Sequence, residues 1–541
     1  MRWNKSDVAF SRPIRWFLAL HGGAIVPFTY AGYTSGRETR GLRFEGTERV
    51  EVSSTRDYFD KMRLWGILLD PEERKAEIQK QAEVLAADIG GQIPGDLDLL
   101  NEVTNMVEKP TAFQGVYDNA YLEVLPPEVL ISVMKKHQRY FVVEDKACQL
   151  MPYFIGIRNG GGDYLDVVAD GNEQVIRARF DDAVFFVEKD LHKPLEEYVE
   201  DLHTLTFQVE LGSYLDKTHR ITQLVKSLAP RLGLLEKEAA HARRAAGLCK
   251  ADLATNMVVE MTSLQGVMGR YYALHSGEDP AVADAIFEHY LPRSAQDRSP
   301  QTKPGLVVGL ADRLDSLMGL FAVGLAPTGT KDPFAQRRAA VGMCQNLIAW
   351  KLNFDLHWGL EQAAGGLAID VNPEVLESCF DFILGRLRIM LLEQGSNFDV
   401  VDAVLAEKGH DPYGAFVGAG ALSAWVERED WDQILPAFSR CVRITRDLDE
   451  TFAVDEDQFV NDEEQLLYTA IRQAERDMTG AKSVDAFLNA FMPMVPVINR
   501  FFDEVLVMAE EEALRENRLA LLQRVSALSD GIADLSYLEG F

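Results

Sequence analysis

The chain is poor in the residues that staple, span or coat. Its five cysteines, Cys148, Cys249, Cys344, Cys379 and Cys441, stand far apart and form no CxxC pair. That spacing argues against a disulfide framework or a thiolate zinc site and suits a reducing cytoplasm. No apolar run reaches the roughly 18 residues that a membrane span needs, so no membrane partner is expected. The opening MRWNKSDVAFSRPIRWFLALHG has a short, late apolar run and no small-residue cleavage pattern, so it does not read as a signal peptide. Positive charge is scarce too. Against 84 Asp and Glu stand 55 Lys and Arg, a net charge of −29. Such a chain does not coat nucleic acid non-specifically, and DNA is not expected as a partner. A polyanion must instead meet local basic patches, while the acidic remainder repels wrong dockings.

Catalytic signatures are missing as well. There is no G-x-S-x-G, no H-E-x-x-H and no G-x-G-x-x-G after a strand. The nearest approach to a phosphate loop is Gly324, Gly329 and Lys331, which spell G-x4-G-T-K with Thr330 and Lys331 transposed. A helix precedes this loop where a strand should, and Pro327 lacks an N–H that a phosphate would need. The stretch reads as a helix–loop–helix corner, not a nucleotide site. No self-contained catalytic apparatus is legible, and no catalytic residue is assigned.

What is there is an ordinary globular composition, 47% apolar and 26% charged over 541 residues, enough for about three or four domains. Charge is uneven: residues 1–50 hold eight Lys/Arg against four Asp/Glu, and residues 451–541 hold seven against eighteen. Residues 1–60 are strand-like and turn-rich. Residues 56–91 read as helical, with Asp70-Pro71-Glu72-Glu73 a strong helix start and Gly90-Gly91 the stop. Residues 97–143 alternate helix and strand. From about Leu202 apolar residues recur at helical spacing, over 214–246, 250–274, 279–290 and 306–323. Residues 306–342 read as the hinge of this helical centre. The helix breaks at Gly324–Pro327 and restarts behind Lys331-Asp332-Pro333, with Lys331, Arg337 and Arg338 structural first and RNA contacts second. The acidic 447–465 is either a flexible insertion or a solvated helix start.

Two constellations bear on chemistry. His219, Asp252 and Asp312 fall at the intervals of the metal ligands of HD-type phosphohydrolases, in which facing helices converge on one or two ions. Ala251 replaces the His of the His-Asp pair and Lys250 stands beside it, so the site reads as degenerate and no metal is assigned. Asp252 and Asp312 are expected to be buried acids paired with Lys250 or Arg313. The second constellation is arginine. Arg37, Arg40 and Arg43 recur every third residue in a glycine-bearing loop. Arg386 and Arg388 share one segment, Arg440, Arg443 and Arg446 lie at i, i+3, i+6, and Arg515 and Arg518 follow. These ten are the candidate contacts to a polyanion such as RNA, with salt-bridging to nearby acids as the alternative.

Several segments together resemble the beta subunit of the bacterial two-subunit glycine–tRNA ligase. They include FSRPIRWFLAL with SGRETRGLRF, LPPEVLISVMKKHQRYF, GNEQVIRARFDDAVFF, CKADLATNMVVEMTSLQGVMGRYYA, LADRLDSLMGLFAVGLAPTGTKDPFAQRRAA and INRFFDEVLVMAEEEALRENRLALL. They occur in family order and cover nearly the whole chain. Family members carry a further N-terminal portion before the segment that here begins MRWNKSDVAF, so the resemblance is to a beta subunit lacking that portion.

The resemblance implies a multidomain, mainly α protein. A mixed α/β portion at 1–200 would be similar to modules of the phenylalanyl-tRNA synthetase beta chain. An HD-like helical domain would follow at 201–350, a helical linker at 351–430, and a helical anticodon-binding domain at 431–541. It also implies a cytoplasmic heterotetramer of two alpha and two beta chains that charges tRNA(Gly). ATP with magnesium would be used in the alpha subunit, and this chain would bind no cofactor. The alternatives are an HD-type metal phosphohydrolase and a tRNA-binding scaffold without synthetase activity.

Overall fold

The computed structural model describes all residues except 1, 4, 11–13, 44, 46–48, 295, 296, 330 and 481. Thr330 of the near-phosphate loop therefore lies outside the described residues, as do parts of the segments 10–20 and 35–44. The chain divides into two compact units, Met1–His192 with Asn256–Leu264, and Lys193–Thr255 with Gln265–Phe541.

The first unit is mixed α/β. Its opening residues form short strands, among them Phe17–Leu18, Thr29–Tyr30 and Tyr33–Gly36, which make one small sheet. Helices α1 (Thr55–Leu64), α2 (Pro71–Asp88) and α3 (Leu97–Met106) follow. The expected single helix over 56–91 is split, because Gly66 takes φ 71° between α1 and α2. The carboxylate of Asp70 caps α2 by accepting from the N–H groups of Glu72 and Glu73, with Pro71 in the first turn.

Strands β1 (Pro110–Val116), β2 (Phe141–Glu144) and β3 (Leu150–Asn159) form an antiparallel sheet with β3 in the middle. Alternation sends Ala112 and Ile155 into a core with Ile78, Ala82 and Leu100 of the helices. On the other face Phe113 pairs with Gly156 and Gly115 with Phe154, so each ring lies over the glycine opposite. Helix α4 (Leu165–Asp190) also packs on β1. Its last residue, buried Asp190, accepts hydrogen bonds from the N–H groups of Asn256 (2.8 Å) and Met257 (2.9 Å), which ties 256–264 into this unit.

The second unit is helical: α5 (Tyr214–Arg231), α6 (Glu236–Leu248), α7 (Val267–His275), α8 (Pro280–Glu288) and α9 (Lys303–Ala322). The expected helix over 250–274 is broken into short turns and α7, because Gly266 takes φ 79°. A side chain there would also meet the Tyr290 ring at 2.5 Å. Helix α9 is apolar on nearly every side and correspondingly buried. Around it pack α5, α6, α8, α10 (Gln336–Ala349), α11 (Leu356–Ala364) and α12 (Pro373–Glu393).

The corner between α9 and α10 is held by polar bonds. The two carboxylate oxygens of Asp332 accept from the N–H groups of Gln336 and Arg337, the Gln336 amide donates to Leu325 O, and Arg337 donates to Gly329 O. This is the helix–loop–helix corner expected within 306–342. Helices α13 (Phe398–Lys408) and α14 (Pro412–Val426) lead to a last group. That group is α15 (Trp431–Thr445), α16 (Asp462–Asp477), α17 (Val484–Phe491), α18 (Val495–Glu504) and α19 (Glu512–Ser526). The acidic 447–465 is exposed over most of its length and runs into the start of α16 at Asp462. Asn517 and Gln523 of α19 bind its backbone, and Glu464 in the first turn of α16 is fully buried.

Candidate functional site

The carboxylates singled out in the sequence lie at the centre of the second unit, and lysines hold them. Lys217 Nζ lies 2.9 Å from Asp312 Oδ1 and 2.9 Å from Asp315 Oδ2, and Lys250 Nζ lies 2.8 Å from Asp312 Oδ2. Each oxygen of Asp312 thus lies beside an ammonium, Oδ2 hydrogen-bonded to Lys250 and Oδ1 at ion-pair distance from Lys217 without a hydrogen bond. Arg220 closes the chain by an ion pair to Asp315 at 2.5 Å. Burial alone would raise the Asp312 pKa, but Lys217 and then Lys250 hold it well below the usual carboxylate range. Burial likewise pushes the two ammonium groups down, and the aspartates, Asp312 first, outweigh it and raise both.

Lys250 also stands 2.9 Å from His289 Nε2 and over the Tyr290 ring. His289 Nδ1 lies 2.6 Å from Ile286 O. A carbonyl can only accept, so Nδ1 carries the proton and Nε2 accepts from Lys250. Burial, then Lys250, keep the imidazole pKa well below its ordinary value, so it stays neutral. Arg313 does not pair with an aspartate. It donates to the backbone carbonyls of His289, Gly309, Tyr290 and Leu291. Burial lowers its pKa to about 10. Gly309 permits this approach, since a Cβ there would come within 2.9 Å of Arg313 Nη1.

Asp252 is different. Its Oδ2 accepts from the N–H groups of Gly266 (2.5 Å) and Gly269 (3.0 Å), whereas its buried Oδ1 has no hydrogen-bond partner among the described residues. Burial raises its pKa to about 6, against those backbone bonds. The expected pairing with Lys250 or Arg313 therefore holds for Asp312 with Lys250 and not for Asp252.

These donors do not fit a metal ion. His219 is exposed on α5, while Lys217 points inward. A divalent ion would have to displace two ammonium groups from Asp312. Among the described residues no three His, Cys, Asp or Glu side chains are grouped to hold a metal.

The ten arginines divide by partner. Arg518 is buried, 2.6 Å from the fully buried Glu464, and so presents no charge to a ligand. Arg388 is held by both oxygens of Asp402. Arg37 contacts Gly23 O and Glu51, and Arg515 reaches Ala509 O and Glu512. Arg40 and Arg43 are exposed. Arg440, Arg443 and Arg446 are also exposed, along α15 and its C-cap. Arg440 stacks on Phe502 and lies near Asn499, Arg443 reaches the ring and carbonyl of Phe541, and Arg446 pairs loosely with Asp447 at 3.8 Å. Arg386 lies in a cleft with Arg338.

Residues 1–406 match the family model described as glycyl-tRNA synthetase beta subunit. The chain belongs to the glycyl-tRNA synthetase beta-subunit family. Residues 434–534, which span most of α15 to α19, match the DALR anticodon binding domain. Similar proteins named glycine–tRNA ligase beta subunit occur in Desulforamulus reducens, 42% identical over 99% of this chain and 78% of the relative, and in Clostridioides difficile, 41% identical over the same shares. The chloroplastic/mitochondrial glycine–tRNA ligase 2 of Arabidopsis thaliana is 41% identical over 100% of this chain and 51% of its own length.

In this family member, sequence reading found Asp252 and Asp312 but missed Lys217, Arg220, Asp315, His289 and Tyr290. A usable signal was there. Lys217 and Arg220 are three apart on one helix and Asp312 and Asp315 three apart on another, matched pairs of opposite charge.

Proposed function

We propose that this chain is the tRNA-recognising beta subunit of a glycine–tRNA ligase. The observation that carries the reading is the coupling, in one chain, of a beta-subunit family match over 1–406 to an anticodon-binding match over 434–534. The 201–350 body serves as scaffold, the 351–430 helices connect it, and the 431–541 end meets the anticodon arm. The exposed Arg440, Arg443 and Arg446 supply phosphate contacts there, with Arg40 and Arg43 as outlying ones. Glycine activation with ATP and magnesium takes place in an alpha subunit, and two alpha and two beta chains assemble in the cytoplasm. The lysine-neutralised aspartate cluster supports a structural role for the HD-like body, since its carboxylates are already charge-compensated. None of the described helices is long and apolar enough to cross a membrane.

The test is tRNA choice. Titrated into the full chain at fixed salt, tRNA(Gly) should bind more tightly than tRNAs with other anticodons, and a tRNA(Gly) with a substituted anticodon should lose that advantage. Equal affinity for all of them sinks the reading.

A further inference from the structure

Two adjoining clefts open in the helical unit and share Pro292, Arg293 and Arg338. One, of about 290 Å³, has His289, Tyr290 and Phe334 in its lining. The other, of about 310 Å³, reaches Arg386 and Met390 of α12. Three observations mark the pair as more than a seam between helices.

The first is charge. Arg338 is exposed, and no carboxylate lies within ion-pair distance of it or of Arg386 among the described residues. Arg386 Nε is buried without a hydrogen-bond partner. Its guanidinium lies over the Phe382 ring, 5.5 Å from the centroid. In a chain with 84 acids against 55 bases, two unneutralised arginines in one cleft are not the default outcome of surface charge. Arg293 at their junction keeps half its side chain exposed while paired with Asp297. Glu393 in the one lining and the lysine-paired Asp312 in the other are the acids of the two clefts.

The second is an open aromatic face. The half-exposed Phe334 ring stands in the lining of the cleft that holds Arg338.

The third is shape. Clefts near 300 Å³ are at the small end of ligand sites. They exclude a double helix, which offers a broad convex face, and admit an unpaired base with its flanking phosphates. Stacking on an aromatic ring plus phosphate contacts to arginine is how single strands are held.

We propose that this double cleft binds an unpaired RNA segment of the tRNA, with a base on the exposed Phe334 ring and phosphates on Arg338 and Arg386. The proposal deepens the tRNA reading and rests on it. It also reassigns Arg338 from a corner residue to a ligand contact, while Arg337 keeps the corner through Gly329 O and Asp332.

The test is a fluorescence-anisotropy titration of the full chain with a labelled single-stranded RNA octamer, repeated with the same sequence closed into a hairpin stem, and with tRNA(Gly). Arg338→Glu with Arg386→Glu should weaken octamer binding at least tenfold. It should also lower the slope of log affinity against log salt by about 1.4, the value for two phosphates on a single strand. A charge-matched control, Lys226→Glu with Lys237→Glu, should leave both unchanged. Phe334→Ala removes the exposed ring and should weaken the octamer a few-fold with no change of slope. The stem should bind more weakly than the octamer and respond less to the arginine pair. Octamer affinity that survives the arginine reversal, or poly-glutamate competing as well as RNA at equal charge, overturns the cleft proposal. If tRNA(Gly) still binds in that event, only the cleft assignment fails. If the unaltered chain binds no tRNA, the tRNA reading fails with it.

Discussion

Lys250 Nζ lies 2.8 Å from Asp312 Oδ2 inside a fully helical core, and both groups are nearly lost to solvent. An ammonium thus neutralises the carboxylate at the heart of the second, helical unit. With Lys217 on the other oxygen, Asp312 is doubly compensated. Breaking a buried pair by removing one partner costs about 3–5 kcal/mol. Lys250→Met should fall in that range, and Lys250→Met with Asp312→Asn should cost less than the sum of the single changes by at least about 1 kcal/mol. Denaturant unfolding of the four proteins in the cycle checks this. Additive losses would mean that the two groups do not interact.

Asp252 gives a pH dependence of defined sign. Burial raises its pKa from 3.8 to about 6. The folded state therefore holds this proton more tightly than the unfolded chain. Stability falls as pH rises through about 4 to 6, and the loss is complete above that window. A shift of two units corresponds to about 3 kcal/mol. Asp252→Asn keeps an acceptor for Gly266 and Gly269 but carries no charge. Between pH 4 and pH 7 its stability relative to the parent should improve by up to about 3 kcal/mol. A pH-independent difference between the two contradicts the account.

Arg518 and Glu464 hold the anticodon-binding end together at 2.6 Å, both buried. Arg518→Ala strands a buried carboxylate and should cost about 3–5 kcal/mol in urea unfolding. Arg440→Ala, on the surface, should change stability by no more than about 1 kcal/mol. Similar losses at both positions would refute the division into structural and presented arginines.

That division marks the limit of what the sequence made legible. Local rules read well: Asp70 before Pro71 capped a helix, Gly324 ended one, and Asp332 restarted the next. Helical phase was legible in principle. Lys217, Ile221, Leu224 and Leu228 are the buried stripe of α5, and His219 falls off it. Spacing between candidate ligands hid that. What no local pattern could give was pairing at long range. Glu464 and Arg518 lie 54 residues apart, and nothing near either one distinguishes it from a solvated charge. The same is true of Arg338 and Arg386, whose lack of an ion-pair partner among the described residues is a property of the packed helices.

Replacing Arg440, Arg443 and Arg446 by Glu should weaken tRNA(Gly) binding and reduce its salt slope by about one for each phosphate contact removed. The fold should survive, since all three are exposed. Unchanged affinity and slope would move the anticodon-arm contacts off this ridge.

The central claim is that this chain supplies recognition to a ligase whose chemistry sits elsewhere. The direct measurement is glycine charging of tRNA(Gly) with ATP and magnesium, by this chain, by a candidate alpha subunit, and by the two mixed. The account predicts charging by the mixture and by neither chain alone. Charging by the alpha subunit at the same rate with or without this chain, or charging by this chain unaided, would contradict it.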